Sequence, residues 1–383
     1  MNKTRNKNGE GSVFQVAENK WVAKICLGTR PDGKPNIKQF SGKTESLVRK
    51  KLKEFKKSND FKIRHIPCND TLKAYITMWL KEYQYNKLKP LSYDRLESTI
   101  NNHIIPSIGG LRVDKVTRDN IQALINKLYK GQNLSYSSIK KVYVALNSCY
   151  KHALIDDIVI KNPCVGVILP PQAENTKVVK AFSLEEVEKL KTALATNNGK
   201  ETCYYRFAYL LILNTGLRMG EALALTCDNI DFSNKTIVVN SNTALTKKRN
   251  SDGEIVGGYE IAIQNSTKTI NGNRVIPINN SAMESLRKLK ENNNTDFVII
   301  NSKQKRVLPS NFDRSFHSIL KRIGIENCGV HTLRHTFASM LFSKGIDIKI
   351  ISKLLGHSTV KITYDTYVHL FDKDINRVTD ILD

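Results

Sequence analysis

The sequence predicts a three-part chain. A small three-stranded β-sheet with one helix comes first, an α-helical bundle second, and a mixed, mainly α part with a small β-sheet third. Three observations carry this. Short alternating apolar runs broken by turn residues fill residues 1–64. Four helix-period stretches, each opened by a capping residue, occupy residues 65–168. After a proline-marked polar stretch, helical patterns resume around a few strand-like runs. At 383 residues the chain is too long for one ordinary domain.

In the first part, strand patterns fall at 12–16, 21–27 and 36–40. Arg30-Pro31-Asp32-Gly33 suits a tight reversal between the last two. A helix over 44–57 has one apolar stripe, Val48, Leu52 and Phe55, at i, i+4 and i+7. Gly28 to Lys34 imitates a nucleotide-binding loop, but Pro35 stands where that motif needs Ser or Thr, and the stretch joins two strands. It is a hairpin.

In the second part, Asp70 or Thr71 caps a helix with Leu72, Ile76, Trp79 and Leu80 inside. Ser92 opens another, through Leu96, Ile100 and Ile104 to a stop at Pro106. Thr117 opens a third and Ser135 a fourth. Residues 169–180, with Pro170-Pro171, form a linker. The third part, 181–383, starts at the capping box Ser183-Leu-Glu-Glu186. Its strand signals lie at 235–240, 259–263, 274–278 and 297–300. The stretch 240–259, rich in Lys, Asn and Gly, reads as a long connection.

Charge points to the partner. The chain carries +24, and residues 1–64 hold 17 Lys/Arg against 6 Asp/Glu. Such a field attracts polyanions, nucleic acid first and an anionic membrane surface as the rival. Lys24, Arg30, Lys38, Lys50 and Lys53 in the first part, and Lys140 and Lys141 in the second, are the candidate DNA contacts. No apolar run approaches the roughly 20 residues of a membrane span. The N-terminus is polar and lacks an apolar leader, so a cytoplasmic, nucleoid-associated location is expected. Seven cysteines with no Cys-x-x-Cys spacing read as reduced thiols.

The chemistry sits in the third part. Gly216-Leu-Arg218-Met-Gly-Glu221 lies far upstream of His331-Thr-Leu-Arg334-His335, Gly356-His357 and Tyr367-Val-His369. Two guanidinium forks can bracket one phosphate and stabilise the extra charge of a five-coordinate transition state. His331 and Arg334, three apart near a helix start at Thr332, share a face. A phenol with a pKa near ~10 is a nucleophile once a base or positive field assists it. Each residue type alone has an ordinary structural use, and His335 reads as a hydrogen-bonded structural residue. A zinc-helix reading of His331 and His335 fails because Thr332 replaces the catalytic Glu.

Taken in order, these boxes resemble the tyrosine recombinase family, specifically lambda-type phage and conjugative-element integrases with an arm-binding N-terminal domain. The likeness spans nearly the whole chain. It implies an arm-type DNA-binding domain (1–64), a core-site-binding helical domain (65–168) and a catalytic domain (181–383). It implies that Tyr367 attacks the scissile phosphate, leaving a 3′-phosphotyrosine and a free 5′-hydroxyl. Arg218, Arg334 and His357 would hold the phosphate, His331 would move the tyrosine proton, and Glu221 would orient Arg218. Lys268, six residues before Arg274, resembles the family's lysine acid, with Lys247 and Lys248 as the weaker choices. Tyr364 is the weaker choice of nucleophile. The resemblance also implies no metal or nucleotide cofactor and four protomers on double-stranded core and arm sites. An excisionase, a DNA-bending host protein and a C-terminal tail helix from Asp374 docking on a neighbour are implied as well. The alternatives are a chromosome-dimer resolvase, a type IB topoisomerase and a catalytically inactive DNA-binding regulator.

Overall fold

The computed structural model describes residues 12–29, 35–57, 70–172, 180–195, 204–251, 253–264, 273–291 and 293–375, and the chain divides into two compact units, Met1–Glu174 and Asn175–Asp383. Residues 173–179 of the expected linker lie outside the described residues.

In the first unit, β1 (Ser12–Ala17), β2 (Lys20–Thr29) and β3 (Pro35–Gly42) form an antiparallel sheet in sequential order. Helix α1 (Glu45–Lys57) buries Val48, Leu52 and Phe55 against Ala23 and Ile25 of β2. Each such side chain, fully buried, contributes roughly 1.5–3 kcal/mol. Thr29 pairs with Pro35, so the nucleotide-loop imitation joins two antiparallel strands, while its turn, including Arg30, lies outside the described residues.

The helices that follow pack around a second core. Thr71, not Asp70, caps α2 (Leu72–Trp79), its hydroxyl accepting from the Ala74 N–H at 3.2 Å. Helix α3 (Pro90–Thr99) starts two residues before the expected Ser92, because Pro90 fits a first turn where no N–H is needed. The expected stop at Pro106 does not occur. A π-type turn, Ile100–Ile104, widens the helix, and α4 (Ile105–Ile108) carries Pro106 in its first turn. The wider turn removes the i→i−4 bond that proline cannot make. Thr117 and Asn120 form a capping box on α5 (Arg118–Asn126), and Ser135 caps α6 (Tyr136–Ile155). Leu72, Ile76, Ile104, Leu124, Ile139 and Leu146 are buried together.

The second unit begins at α7 (Leu184–Ala195), where the Ser183 N–H donates to Glu186 and the Glu186 N–H donates back to Ser183. Helices α8 (Arg206–Thr215) and α9 (Met219–Ala222) follow. A three-stranded sheet has the order β4 (Ile230–Asp231), β5 (Thr236–Val239), β8 (Arg274–Pro277). The chain between β5 and β8 forms a separate antiparallel ribbon, β6 (Asn242–Arg249) with β7 (Ile255–Gln264). Most of the expected connection 240–259 is therefore strand. Cross-strand pairing satisfies its backbone, and Thr243, Ala244 and Thr246 are buried despite the polar composition. Residues 297–300 are not a strand. They make only isolated bridges, Thr226 to Phe297 and Ile300 to Arg306, so the buried run Val298, Ile299, Ile300 signalled core rather than pairing.

The remaining helices are α10 (Asn280–Lys290), α11 (Pro309–Arg322), α12 (Val330–Ser343), α13 (Ile348–Leu355) and α14 (Val360–Ile375). Tyr209 of α8 packs at a tilt against Phe312 and Phe316 of α11, with ring centroids 4.7 and 4.8 Å away. Helix α12 starts at Val330 rather than Thr332, whose hydroxyl instead accepts from the Gly329 N–H at 3.2 Å as the reciprocal half of a cap. Asp374 lies inside α14 and does not start a separate helix. The remaining tail, 376–383, lies outside the described residues.

Candidate active site

Helix α8 ends at Gly216, whose φ of 65° is left-handed. A Cβ there would stand 2.4 Å from the Phe337 ring, so the sharp exit requires glycine twice over. The turn buries Leu217 and sets Arg218 in extended conformation as the cap of α9. The Arg218 guanidinium donates from Nη1 to Glu221 Oε1 at 2.7 Å and from Nη2 to the Gly356 carbonyl at 3.2 Å. Its side chain keeps 35% of its surface exposed, whereas Glu221 keeps 2%.

Glu221 is the hub. Besides Arg218 it accepts two bonds from Arg274, Nη1 to Oε1 at 3.0 Å and Nη2 to Oε2 at 2.7 Å. Burial alone would push its carboxyl up. The hydrogen bonds and charge of Arg274, with the charge of Arg218, hold it down at about 2. Arg274 also donates from Nε to the Leu354 carbonyl at 2.6 Å.

Arg334, 4% exposed, donates to the Gly216 carbonyl at 2.7 Å and to the Leu355 carbonyl at 2.6 Å. It therefore ties the first motif to the segment ahead of the tyrosine helix. Burial and the neighbouring Arg218 pull its pKa down to about 9, which still leaves it charged at neutral pH. Gly356, with φ 66°, ends α13, and a Cβ on it would meet the Arg274 guanidinium at 2.9 Å. The turn delivers His357, whose Nδ1 lies 2.8 Å from the Thr363 hydroxyl.

Tyr367 is 2% exposed and packs with Ala338, Ile351 and Leu355. Its hydroxyl lies 2.8 Å from Nδ1 of His335. Burial raises its pKa to about 12, with the Arg334 charge acting the other way. His335 is pushed down to about 4 by burial, then by Arg334 and His331. His357 is pushed to about 4 by burial and the arginine charges. His331 lies on the exposed side of α12. Its pKa is still lowered by the protein around it and by Arg334 and Arg218. Three guanidiniums thus surround one carboxylate beside neutral imidazoles, an arrangement that favours a bound anion.

The structure brings Arg218, Glu221, Arg334, His335, His357 and Tyr367 into one connected cluster. Lys268 lies outside the described residues, as does the side chain of His369. Two further members, Arg274 and Thr363, are not marked as site residues by the sequence. Arg274 and Ile276 are buried while Val275 and Pro277 are exposed, so strand alternation puts the arginine on the inner face. Buried Thr363 carries no comparable signal. Tyr364 is 49% exposed.

The candidate DNA contacts distribute less simply. Lys38 pairs with Ile25, on the α1 side of the first sheet, with its ammonium 4.2 Å from the Phe55 ring centroid. Lys24 pairs with Ser12 and lies by Phe14, on the opposite face. Lys50 and Lys53 are exposed on α1. Lys140 and Lys141 line a groove of about 730 Å³ with Arg95 and Tyr136.

These features gather guanidiniums and imidazoles around one buried carboxylate, with a buried tyrosine at the edge. The model of the phage integrase family matches residues 180–374, and that of the phage integrase N-terminal SAM-like domain matches 71–129. A tyrosine recombinase XerC-like protein of Caldanaerobacter subterraneus subsp. tengcongensis is 28% identical over 382 residues, 94% of each chain. The fold is similar to the Tn1549 transposon integrase in complex with circular intermediate DNA (TM-score 0.63, 20% identity, 81% of this chain and 100% of that one). It is also similar to a lambda integrase tetramer bound to a Holliday junction (TM-score 0.60, 17% identity, 93% and 97%). The chain belongs to the phage integrase family and is a tyrosine-type site-specific recombinase.

Proposed function

We propose that this chain integrates and excises a mobile DNA element, cutting and rejoining DNA through a 3′-phosphotyrosine intermediate. One observation carries the reading. Arg218 and Arg334, 116 positions apart in sequence, bond the successive carbonyls of Gly356 and Leu355, and Tyr367 contacts His335, the residue after Arg334. The two forks already point at one small volume beside the tyrosine helix.

Arg218 and Arg334 exchange their carbonyl partners for the non-bridging oxygens of the scissile phosphate, which are stronger acceptors because they are charged. His357 donates to the same phosphate. The Tyr367 oxygen forms a bond to phosphorus, the bond to the 5′-oxygen breaks, and Lys268 supplies that oxygen with a proton. In the free protein the phenol proton stays where it is, since a phenol near 12 faces an imidazole near 4. Tyr367 therefore leaves His335 to react, and the exposed His331 takes the proton. Attack by the free 5′-hydroxyl reverses the step and rejoins the strand, so the bond energy is conserved in the phosphotyrosine.

Residues 65–168 bind core sites and residues 1–64 bind arm sites. Four protomers exchange strands in pairs, with a DNA-bending protein and an excisionase setting direction. The likeness to the lambda integrase tetramer on a Holliday junction supports the assembly. A chromosome-dimer resolvase is the second reading. It is favoured by the XerC-like relative, which aligns over 94% of this chain, first part included.

The test uses a nicked core-site duplex, taken from the DNA flanking the gene, that traps the covalent intermediate. Wild type gives a protein–DNA adduct. Tyr367→Phe binds the duplex equally and gives none. An adduct persisting in the variant would move the nucleophile to Tyr364. Cleavage of chromosomal dimer-resolution sites, but not of the element's ends, would select the second reading.

A further inference from the structure

Away from the active site, Lys290 in the last turn of α10 places its Nζ 2.6 Å from Sγ of Cys227. An ordinary N–H···O bond is already ~2.9 Å long, and sulfur is a larger acceptor than oxygen. The two atoms are therefore closer than a hydrogen bond between them requires. Their surroundings hold them there. The Cys227 N–H donates to the Asp296 carbonyl at 2.9 Å, and its Sγ lies 3.1 Å from the same oxygen. Val298 N–H donates to the Leu225 carbonyl at 2.9 Å, and Thr226 bridges to Phe297. Asn229 accepts from both the N–H and the hydroxyl of Thr226, fixing the short helical turn Cys227–Asn229. Both side chains are partly open to solvent, so a small oxidant reaches them.

We propose that Cys227 and Lys290 are an oxidative cross-linking site, joined through one oxygen atom as a nitrogen–oxygen–sulfur bridge. Dioxygen is the oxidant. The lysine amine and the cysteine thiol each lose two electrons, and dioxygen takes four. One oxygen atom forms bonds to Nζ and Sγ, and the other leaves as water with the thiol hydrogen and one amine hydrogen. The additional proton of the ammonium goes to solvent. A thiol reductant reverses the link, as it does other low oxidation states of cysteine sulfur.

The bridge spans 63 positions and joins two flanks of the three-stranded sheet. Cys227 lies just before β4, and α10 begins three residues after β8 ends. Closing that loop constrains the unfolded chain, so the oxidised protein resists unfolding more than the reduced one. The strand at one flank, β8, is the strand that presents Arg274 to Glu221. The proposal does not depend on the roles assigned to the catalytic residues.

Full-length protein, held in air-saturated buffer or in dithiothreitol, is digested and its peptides are weighed. After air, the Cys227 and Lys290 peptides are expected as one linked species, whose mass is their sum plus one oxygen less two hydrogens. That species is absent after dithiothreitol, in Cys227→Ser and in Lys290→Arg. The melting temperature of wild type, but not of Lys290→Arg, rises on oxidation. If Cys227 is recovered after air only as free thiol, or as sulfinic or sulfonic acid with the Lys290 peptide unlinked, the proposal is wrong.

Discussion

The hydroxyl of Tyr367 and Nδ1 of His335 lie 2.8 Å apart, inside a pocket that leaves the tyrosine 2% exposed. Tyr367 of the free protein is therefore held against the helix that carries Arg334, and in the proposed reaction it must first break this contact. His335→Asn keeps an acceptor near the Nδ1 position but cannot take a proton, whereas His335→Ala leaves the phenol unpartnered. Losing a partner for a buried hydroxyl costs about 1–3 kcal/mol. His335→Ala is expected to lose about that much stability, and His335→Asn less. Equal losses in urea titrations would deny the contact any energetic weight.

His335 and His357 titrate near 4 when folded, against 6.5 for an unperturbed ring. Between those values the unfolded chain binds protons that the folded chain refuses. Stability is therefore complete above about 6.5 and falls as pH drops toward 4, by roughly 1–3 kcal/mol for each ring. Glu221 acts lower, its contribution being lost as pH falls from the ordinary carboxylate range through about 2. Melting temperatures of wild type and His335→Asn across pH 4–7 check this. The variant should show the shallower decline, and parallel curves would refute the assignment.

Arg274 holds both oxygens of a buried carboxylate. Arg274→Met leaves the buried Glu221 with Arg218 as its remaining close ion-pair partner, and breaking such a buried pair costs up to about 3–5 kcal/mol. Adding Glu221→Gln should recover part of that loss, so the double variant is more stable than the two single effects predict. Strict additivity in chemical denaturation would mean that the pair is not coupled.

Gly216→Ala places a methyl group on the Phe337 ring and demands left-handed backbone from alanine. A residue so strained costs about 1–3 kcal/mol. Covalent-adduct formation is expected to fall further than stability alone explains, because Arg218 is two residues away. A variant with wild-type melting and cleavage would show that the turn tolerates a side chain.

Deleting residues 1–64 is expected to spare cleavage of a short core site and to impair integration into a full attachment site. Integration assays with both substrates separate the two effects. Undiminished integration would remove the arm-binding role.

Much of this was legible in the sequence, for identifiable reasons. The apolar stripe of α1 and the caps at Thr117, Ser135 and Ser183 are local signals, and each fixes local structure. The ribbon at Asn242–Arg249 was hidden because its stability comes from pairing with β7, not from its own lysine-rich composition. Pro106 failed as a stop because a π-type turn just before it absorbed the missing bond. Arg274 serves in the sequence only as a marker for Lys268, because nothing local shows that it pairs with a buried Glu221 53 positions away.

The most direct measurement is covalent-adduct formation on supercoiled DNA carrying the sequence that flanks the gene, with EDTA present and no ATP, followed by mapping of the modified peptide. An SDS-resistant adduct at Tyr367 is expected. An adduct at another residue, or strand cleavage by wild-type protein that leaves no protein attached to DNA, would contradict cleavage by this tyrosine.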